Sequence, residues 1–446
     1  MNYIKLLLQL YHLKRNTAMT RKDMIVLQQK KLRKILKYAY YHSEYYHKTF
    51  TKAGITAKNI NRIPLSKFPK INKTTLIQNF DNIVTQKDLS QQELIDFDNN
   101  KNKYKKTFKK KYHIVHSSGS TGKPAYFVYD NKAWESMLIG VIRAALWDMS
   151  MPQILKYLFK KPRILYIAAT DGRYGGAMAV GDGIEGVKGN QLFIDINMPL
   201  KKWIEKTKHF RPDMIVGYSS AIKILGELVE SGKLDVNVFR VISCGEPLNN
   251  NLRQYFKKVF HSDVINFYGA SESLVLGVEA DFSEGMYLFD DMNYIEVENG
   301  NMYVTSLYNY VQPLIRYQIT DRLKIKKNNE KHPFIRAENI VGREEDILWF
   351  ENRGKKEFLH PLAIEGFCIE GLLDYQFRQL SDNSFEMLAQ TSNNSKNSNI
   401  KKEILSQMKK ILNEKHLEYV NFYIQFIEEI LPDKKTGKKK LIVKGE

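Results

Sequence analysis

The sequence predicts an α/β protein made of a large N-terminal domain and a small α+β C-terminal domain. At 446 residues the chain exceeds one ordinary domain, and its 43% hydrophobic content is enough for sizeable cores. Between residues 199 and 269, apolar strands alternate with amphipathic helices, which is typical of parallel βαβ sheets. After residue 285 the pattern changes to shorter strands, which predicts a small β-subdomain within the large domain.

The alternating region contains three helices and three strands. We predict helices at 199–209, 220–232 and 248–260, and strands at 213–218, 238–245 and 263–269. The apolar run 163–169 predicts a further buried strand. Ligands of such sheets bind beyond the carboxyl ends of the strands. Two of these ends carry candidate chemistry, namely Gly245-Glu246-Pro247 and Tyr268-Gly269-Ala270-Ser271-Glu272.

The flanking segments complete the predicted organisation. We expect helices at 21–50 and 131–150 and a polar, basic loop at 98–111. Short strands follow at 286–290, 293–299, 302–308 and 323–327. A helix at 401–415 separates two further strands, 385–390 and 420–430. We place the large domain at 1–343, divided into a helical region (1–110) and a core (111–343), and the small domain at 344–446.

The chain is strongly basic. It carries 69 Lys and Arg against 49 Asp and Glu, a net charge of +20. This charge suits a nucleic-acid-binding protein, an alternative that predicts affinity falling steeply with salt. The lysines are scattered among asparagines and form no RNA-binding fingerprint, so we favour a solvated surface that attracts anionic substrates such as nucleotides.

Cysteine content and hydropathy bear on the compartment. Cys244 and Cys368 form neither a metal-binding spacing nor a disulfide framework, which favours a reducing, cytoplasmic location. The sequence contains no run of 18 apolar residues, so we predict no membrane-spanning helix. Residues 1–16 form an amphipathic segment, which we expect to pack on the domain rather than to make a peripheral membrane contact.

A polar motif, His116-Ser-Ser-Gly-Ser-Thr-Gly-Lys-Pro124, combines hydroxyls, glycines and a lysine. It is not a P-loop, because Ser117 stands at the first required glycine and Pro124 at the required Ser or Thr. Residues typical of strands follow at 125–129, so the motif is predicted to join two strands. Its hydroxyls and N–H groups could wrap a phosphate chain, and a polar surface turn is the equal alternative.

Two further segments have compositions that bear on function. Seven glycines lie between 172 and 189, and they permit either close approach of a ligand or a flexible connection. The segment 217–221 contains serines after a strand, as in Ser hydrolases. Ala221 stands where the nucleophile elbow of those enzymes needs glycine, which argues against a hydrolase.

Five motifs in one order carry a family resemblance. They are the Ser/Gly/Thr/Lys loop at 117–123, "NFYGASES" at 266–273, "PLIRYQITDRL" at 313–323, "VGREED" at 341–346 and a terminal Gly-Lys at 437–438. The chain resembles the adenylate-forming enzymes, which include acyl-CoA synthetases, peptide-synthetase adenylation domains and luciferases. The segments 32–55 and 63–84, together with "VISCGEPLN" at 241–249, are similar to the phenylacetate–CoA ligase and CapK-like group within that superfamily.

The resemblance implies ATP and Mg²⁺ as cofactors, with CoA as the expected acceptor. The loop that would clasp the β- and γ-phosphates is Ser117, Ser118, Gly119, Ser120, Thr121, Gly122 and Lys123. The residues on the adenine side would be Gly245, Glu246, Pro247, Tyr268, Gly269 and Ala270, with the Tyr268 ring stacked on the base.

The same resemblance implies the catalytic groups. Ser271 would reach the α-phosphate, and Glu272 would hold Mg²⁺ together with phosphate oxygens. Asp321 would accept both ribose hydroxyls, with Arg343 as a second ribose contact. Lys438 would stabilise the negative charge that develops during adenylation.

The resemblance also implies a mobile C-terminal domain that pivots near Glu345. The substrate pocket would lie between the glycine-rich segment, with Gly175 and Gly176, the strand end at Tyr218, and the "YGASES" loop. Thr320 departs from the glycine that usually precedes the ribose aspartate, and Glu344-Glu345-Asp346 departs from the usual hinge.

The implied reaction is activation of a small carboxylic acid as acyl-AMP with release of pyrophosphate, followed by acyl transfer to CoA. One alternative keeps adenylation and changes the acceptor to an amine, a carrier-protein thiol, a sugar or a hydroxyl. The basic nucleic-acid-binding protein is the alternative from another class. The identity of the acid is left open by the sequence.

Overall fold

The computed structural model describes residues 3–99, 107–117, 124–170, 175–182, 190–246, 248–281, 283–298, 301–326, 332–341, 348–352, 354–359, 361–364, 367, 369, 371–392, 397–431 and 441–444. The described N-terminal region is helical, as predicted. Its helices are α1 (Tyr3–Asn16), α2 (Arg21–His42), α3 (Glu44–Lys52), α4 (Lys73–Ile83) and α5 (Gln91–Asn99). The single helix predicted at 21–50 is wrong, because Ser43 leaves the helical conformation and caps α3 through the backbone N–H of Tyr46.

Helix α1 packs on the protein through its apolar face. Leu6 and Leu10 are fully buried, and α1 packs against the helix Asn131–Ala145. The sequence predicts that residues 1–16 pack on the domain, and the packing of α1 agrees with that prediction. In the part of the chain that the structure describes, no helix is long and apolar enough to cross a membrane.

A hairpin follows the N-terminal helices. Its strands are β1 (Tyr112–His116) and β2 (Tyr126–Asp130), which pair in antiparallel register from Tyr112↔Asp130 to His116↔Tyr126. Strand–loop–strand was therefore the correct prediction for the polar motif. Helices α6 (Asn131–Ala145) and α7 (Met151–Lys160) come next, so the helix predicted at 131–150 ends five residues early.

The predicted alternation then builds a parallel half-sheet. Its elements are β3 (Arg163–Ala168), α8 (Gly175–Asp182), β4 (Asn190–Asp195), α9 (Leu200–Phe210), β5 (Met214–Gly217), α10 (Ser219–Glu230), β6 (Arg240–Cys244), α11 (Asn250–Phe260) and β7 (Asp263–Ala270). Strands β4, β3, β5, β6 and β7 lie side by side and are parallel. Their carboxyl ends therefore meet at one edge, where ligands of such sheets bind.

Short antiparallel strands extend the same sheet. They are β8 (Ser273–Glu279), β9 (Met286–Leu288), β10 (Asn293–Glu298), β11 (Asn301–Ser306), β12 (Tyr317–Ile325) and β13 (Arg336–Val341). Within the described ranges the sheet has 11 strands in the order β10-β11-β12-β13-β9-β8-β7-β6-β5-β3-β4. The predicted β-subdomain thus continues the parallel half-sheet through the β7–β8 pair.

The C-terminal segment has its own sheet and its own core. Its elements are β14 (Leu348–Asn352), β15 (Lys355–Leu359), α12 (Pro361–Ile364), β16 (Leu372–Ser381), β17 (Ser384–Thr391), α13 (Asn397–Glu414), β18 (Asn421–Ile427) and β19 (Ile442–Lys444). The order β18-β17-β16-β19 forms a four-stranded sheet. Helix α13 buries Ile400, Ile404 and Met408 in a cluster with Phe377 and Phe385.

A buried lysine joins this segment to the large sheet. Lys415 Nζ donates to the carbonyl oxygen of Met198 at 2.8 Å and lies 3.3 Å from Glu357 Oε1. Burial lowers the pKa of Lys415 to about 8, although the Glu357 carboxylate acts in the opposite direction. Glu357 Oε2 also accepts from the backbone N–H of Leu200 at 3.0 Å, at the start of α9.

A second buried ion pair lies under the sheet. The Arg143 guanidinium on α6 donates to both carboxylate oxygens of Asp291, at 2.6 and 3.0 Å, and neither side chain is exposed. Asn16 Nδ2 donates to the same carboxylate at 2.8 Å. Asp291 thus ties α1, α6 and the segment between β9 and β10 together.

Candidate functional site

Three predicted segments meet at the carboxyl edge of the parallel strands. They are the β1–β2 hairpin, the connection between β7 and β8, and the middle of β12. The connection between β7 and β8 was expected only as a strand end. It is a two-residue hairpin turn, Ser271-Glu272, because Ala270 pairs with Ser273 across it. The turn therefore has fixed backbone on both sides.

The turn is bonded to the hairpin in both directions. Ser271 Oγ donates to the carbonyl oxygen of His116, the last residue of β1, at 3.3 Å. In return, Tyr129 Oη on β2 lies 3.2 Å from the carbonyl oxygen of Ser271 and 3.4 Å from that of Glu272. Ser271, predicted to reach the α-phosphate, thus lies beside the strand that leads into the predicted phosphate loop.

Ser117 marks the edge of that loop. Its backbone N–H donates to the carbonyl oxygen of Ala125 at 3.0 Å, and its hydroxyl accepts from the Ala125 N–H at 3.0 Å. These bonds continue the β1–β2 pairing by one step. The Ser117 hydroxyl is therefore engaged within the hairpin in this structure, and phosphate binding by Ser117 remains a prediction.

Tyr268 and Asp321 are brought together. Tyr268 is 7% exposed, and its hydroxyl donates to Asp321 Oδ2 at 2.9 Å. Asp321 lies at an irregularity of β12: Asn301 pairs with Arg322, whereas the next residue, Met302, pairs with Ile319. Two residues of β12 are thus left over, and such bulges redirect side chains at functional sites.

This bulge bears on a departure noted in the sequence. Thr320 replaces the glycine expected before the ribose aspartate, and it is one of the two unpaired residues of β12. The irregular register supplies a local change of direction that a glycine would otherwise permit. Asp321 still reaches Tyr268, near the carboxyl end of β7.

Glu272 is a desolvated carboxyl. Desolvation raises its pKa to about 7; its own backbone N–H lowers the pKa, the charge of Asp321 raises it, and Lys73 lowers it. Desolvation and the Asp321 charge thus raise the pKa of Glu272 by more than Lys73 lowers it. A divalent cation between this carboxylate and phosphate oxygens would relieve the unfavourable charge, so Glu272 fits the predicted Mg²⁺ role.

Mg²⁺ at this site would need the nucleotide as a co-ligand. Among the described residues there is no group of three or more His, Cys, Asp or Glu that could hold a metal ion. Magnesium usually takes one or two carboxylates together with substrate phosphates and water. One glutamate at the turn matches that pattern.

The adenine-side segment follows β6. Gly245 has a φ of +78°, and a Cβ at this position would lie 2.7 Å from Cε1 of Tyr218, so no other residue fits without displacing the ring. Glu246 accepts from the backbone N–H and the hydroxyl of Ser220, each at 2.8 Å, at the start of α10. Tyr218, predicted to line the substrate pocket, is 8% exposed and packs against this turn.

The glycine-rich segment is a correction. Residues 175–182 form helix α8 rather than an open loop. A Cβ at Gly175 would lie 2.1 Å from Leu274 Cδ2, and a Cβ at Gly176 would lie 2.3 Å from the Tyr166 hydroxyl. Both glycines therefore permit close packing of α8 on β3 and β8, and their role as pocket-lining residues remains a prediction. Gly269 is similarly close, with its Cβ position 2.5 Å from the carbonyl oxygen of Leu274.

Several predicted residues lie outside the described part of the chain. They are Ser118, Gly119, Ser120, Thr121, Gly122, Lys123, Pro247, Arg343, Glu345 and Lys438. Their roles stay predictions. The same applies to the pivot and to the domain boundary near residue 343.

A separate cleft of about 560 Å³ lies away from these residues. It is lined by Asp195, Asn197, Met198, Pro199, Lys202, Glu205, Lys206 and Glu414. None of the predicted site residues belongs to it. Its charged lining and its place between α9 and the end of α13 make it a poor pocket for an acyl group.

The sequence reasoning missed Tyr129 and the carbonyl group of His116. From the sequence Tyr129 is only part of the strand predicted at 125–129, although it is 1% exposed and bonds to the turn. Alternation along β2 could have placed it on an inward face with Phe127. The long-range contact with residue 271 has no local signal in the sequence.

Comparison with known proteins bears on the resemblance. No family model matches the chain. It is 23% identical over 449 aligned residues to protein CapK of Staphylococcus aureus, covering 94% of this chain and 89% of CapK. It is 25% identical over 353 residues to phenylacetate-coenzyme A ligase of Escherichia coli (strain K12), covering 73% and 72% of the two chains.

The resemblance to the adenylate-forming enzymes, and to their CapK and phenylacetate–CoA ligase-like group, is confirmed. The predicted enzyme class, an ATP-dependent ligase, agrees with the phenylacetate-coenzyme A ligase relative. The predicted fold class is confirmed by a solved structure of 2-hydroxyisobutyryl-CoA ligase in complex with 2-HIB-AMP and CoA. That structure has a TM-score of 0.61, 16% identity, and coverage of 96% of this chain and 91% of its own. A second structure of that ligase, in complex with R3-HIB-AMP, has a TM-score of 0.56 and 15% identity, and coverage is 97% and 91%.

Proposed function

We propose that this chain is an ATP-dependent, adenylate-forming ligase that activates a small carboxylic acid as acyl-AMP and then transfers the acyl group to CoA. The observation that carries the proposal is the junction of the Ser271-Glu272 turn with the β1–β2 hairpin. It brings a hydroxyl and a desolvated carboxyl beside the flank of the predicted phosphate loop. The Tyr268–Asp321 contact offers a nucleoside-binding pair beside the end of the same strand, β7.

In the first half-reaction a carboxylate oxygen of the acid attacks the α-phosphorus of ATP. The bond between that phosphorus and the bridging oxygen of pyrophosphate breaks, and pyrophosphate leaves with the electron pair. The Ser271 hydroxyl, which donates to the His116 carbonyl oxygen in this structure, would turn to donate to an α-phosphate oxygen when ATP binds, and Asp321 would accept from the ribose hydroxyls. Mg²⁺ held by Glu272 would neutralise charge on the phosphates.

In the second half-reaction the CoA thiol displaces AMP from the mixed anhydride. We propose that residues 344–446 rotate about Glu345 between the two steps and that Lys438 acts only in the first. Shielding of the anhydride from water explains the need for a lid. The names of two relatives support CoA as acceptor: one is a coenzyme A ligase, and the other was solved with an acyl-AMP and CoA.

The test is pyrophosphate release by the purified chain with a panel of small aliphatic and aromatic acids. We expect release that requires ATP, Mg²⁺ and one class of acid, with acyl-CoA and AMP appearing when CoA is added. The matched variants are Asp321→Asn, which should weaken ATP binding, and Asp195→Asn, at the end of β4 four strands away from β7 in the same sheet, which should not. Salt-sensitive nucleic-acid binding with no acid-dependent pyrophosphate release would contradict the proposal.

A different acceptor is the second candidate, and one observation favours it. The relative that covers 94% of this chain is CapK, whose name does not specify a CoA ligase. An amine, a carrier-protein thiol, a sugar or another hydroxyl would then receive the acyl group. Acid-dependent pyrophosphate release with no acyl-CoA formed would separate this candidate from the first.

A further inference from the structure

We propose that Tyr129 is a positioning residue whose hydroxyl holds the Ser271-Glu272 turn in register with the β1–β2 hairpin. The inference rests on the proposed function, since it deepens the roles of Ser271 and Glu272 at that site. The Tyr129 hydroxyl bonds to the backbone carbonyl oxygens of the two turn residues. It acts through the backbone that carries their side chains.

The geometry of the contact is reciprocal. The hairpin supplies one side-chain donor, the Tyr129 hydroxyl, which reaches the carbonyl oxygens of both turn residues at 3.2 and 3.4 Å. The turn supplies the other donor, the Ser271 hydroxyl, which reaches the hairpin backbone at His116. Two points of attachment fix both the distance and the angle between the turn and the hairpin.

The Tyr129 ring has little freedom to move. It is 1% exposed, its centroid lies 5.7 Å from that of Trp134 in an edge-on contact, and it stacks on Tyr308 at 6.5 Å. Trp134 in turn stacks on His113, the strand partner of Tyr129, with centroids 4.4 Å apart. Burial raises the pKa of Tyr129 well above its usual value, so the hydroxyl remains a donor at ordinary pH.

A second set of hydrogen bonds holds the β8 side of the turn. Ser273, just after Glu272, donates through its hydroxyl to Asn293 Oδ1 at 2.8 Å and lies 3.1 Å from the Tyr308 hydroxyl. Asn293 Nδ2 donates to the carbonyl oxygen of Val275 at 2.7 Å. These bonds fix the β8 side of the turn. The Tyr129 and Ser271 hydroxyls relate the turn to the β1–β2 hairpin.

Such an arrangement matters because phosphoryl chemistry depends on the relative position of groups from different segments. A small misplacement can cost a large factor in rate. Glu272 would meet Mg²⁺ only if its carboxylate and the phosphates held by the hairpin are correctly spaced. Loss of the Tyr129 hydroxyl should therefore raise the Mg²⁺ requirement more than it alters affinity for the acid.

The test compares Tyr129→Phe with Tyr46→Phe. Tyr46 is also 1% exposed, and its hydroxyl donates to the carbonyl oxygen of Pro313 at 2.9 Å, away from the turn. Both variants lose one buried hydroxyl and keep the ring. The first readout is amide hydrogen exchange of the peptides that cover residues 112–117 and 269–275, without nucleotide. The second is the Mg²⁺ concentration that gives half-maximal pyrophosphate release.

We expect faster exchange in both peptides of Tyr129→Phe and about a tenfold higher half-saturating Mg²⁺ concentration, with the KM for the acid within about twofold. Tyr46→Phe should show neither change. Unchanged exchange in Tyr129→Phe, or faster exchange with the same Mg²⁺ dependence as Tyr46→Phe, would overturn the positioning role. If the parent protein releases no pyrophosphate with any acid, the proposed function fails, and the exchange result alone decides whether Tyr129 holds the turn.

Discussion

Asp291 and Glu272 are two acids in connections between strands of the same sheet, and their carboxylates have opposite electrostatics. Asp291 is fully buried, whereas Glu272 is partly exposed although the protein desolvates its carboxylate. Burial raises the pKa of Asp291, but the charge and hydrogen bonds of Arg143, with Lys31 and Asn16, lower it by more, so the net direction is down. Desolvation raises the pKa of Glu272 to about 7, and the further charge of Asp321 outweighs the effect of Lys73. Asp291 is held in a bidentate ion pair with Arg143, whereas Glu272 lies in the turn whose backbone contacts the β1–β2 hairpin.

We propose that the difference separates a structural carboxylate, Asp291, from a Mg²⁺-binding one, Glu272. A buried acid with a bidentate cationic partner stabilises one packing arrangement, whereas an acid whose charge is uncompensated lowers stability and is ready for a ligand. The same isosteric change, acid to amide, should therefore have opposite consequences at the two positions.

The largest stability effect is expected at the compensated position. Asp291→Asn leaves the fully buried Arg143 guanidinium without its counter-charge. We expect a loss of roughly 3–5 kcal/mol of unfolding free energy, measured by urea denaturation. The residual folded protein should bind ATP as the parent does. A loss below that of an ordinary surface substitution would remove the contrast between the two acids.

Lys438→Ala sharpens the comparison from the catalytic side. If the reaction requires positive charge at the α-phosphate, this variant should lose about 3–4 kcal/mol of transition-state stabilisation, a hundredfold to thousandfold in adenylation rate. Supplied acyl-AMP should still react with CoA, because that step does not use the lysine. ATP–pyrophosphate exchange measures the first step, with Lys434→Ala as the control from the same lysine run.

Asp321→Ala addresses the neighbour that raises the pKa of Glu272. Loss of two charge-assisted hydrogen bonds to ribose should weaken ATP binding by about 2–4 kcal/mol, with a smaller change in the rate at saturation. It should also lower the pKa of Glu272, because Asp321 is one of the groups that raise it. Calorimetry of ATP binding checks the first effect, and parent-like affinity would refute the ribose role.

Of the two acid-to-amide changes, Glu272→Gln should alter the unfolding free energy less than Asp291→Asn, and in the opposite direction. The folded pKa of about 7 exceeds the ordinary value of 4.5, so stability from this group is full below pH 4.5 and is lost as pH rises through 7. At pH 8 the amide should be more stable than the parent by about 1–3 kcal/mol, a difference that vanishes near pH 4. Mg²⁺-dependent turnover should nevertheless be abolished. Urea denaturation at both pH values, with Asp291→Asn in parallel, measures the difference.

Local patterns in the sequence predicted most of the fold. The helices and strands between residues 199 and 270 follow from apolar periodicity. Ser43 was missed because one N-cap inside a periodic run is a weak signal. Helix α8 was missed because glycines disfavour helices in isolation, whereas here they admit Leu274 and Tyr166.

The site was predictable only as an order of motifs. The resemblance pointed to Tyr268, Ser271, Glu272 and Asp321, and the structure brings these four to one edge of the sheet. The β12 bulge depends on the register between β11 and β12. The Tyr129 bond joins residues more than a hundred positions apart in the sequence. Neither has a local pattern that a single sequence could reveal.

The most direct measurement is the proton released when the protein binds Mg²⁺ with a non-hydrolysable analogue, α,β-methylene ATP, in excess Mg²⁺. Calorimetry in two buffers of different ionisation enthalpy gives the number of protons at pH 6, 7 and 8. If Glu272 binds Mg²⁺ and has a pKa of about 7, release should fall from nearly one proton at pH 6 to about half at pH 7 and little at pH 8. Asp195→Asn should give the same profile. Binding with no linked proton at any of the three pH values would contradict the assignment of Glu272 as the Mg²⁺ ligand.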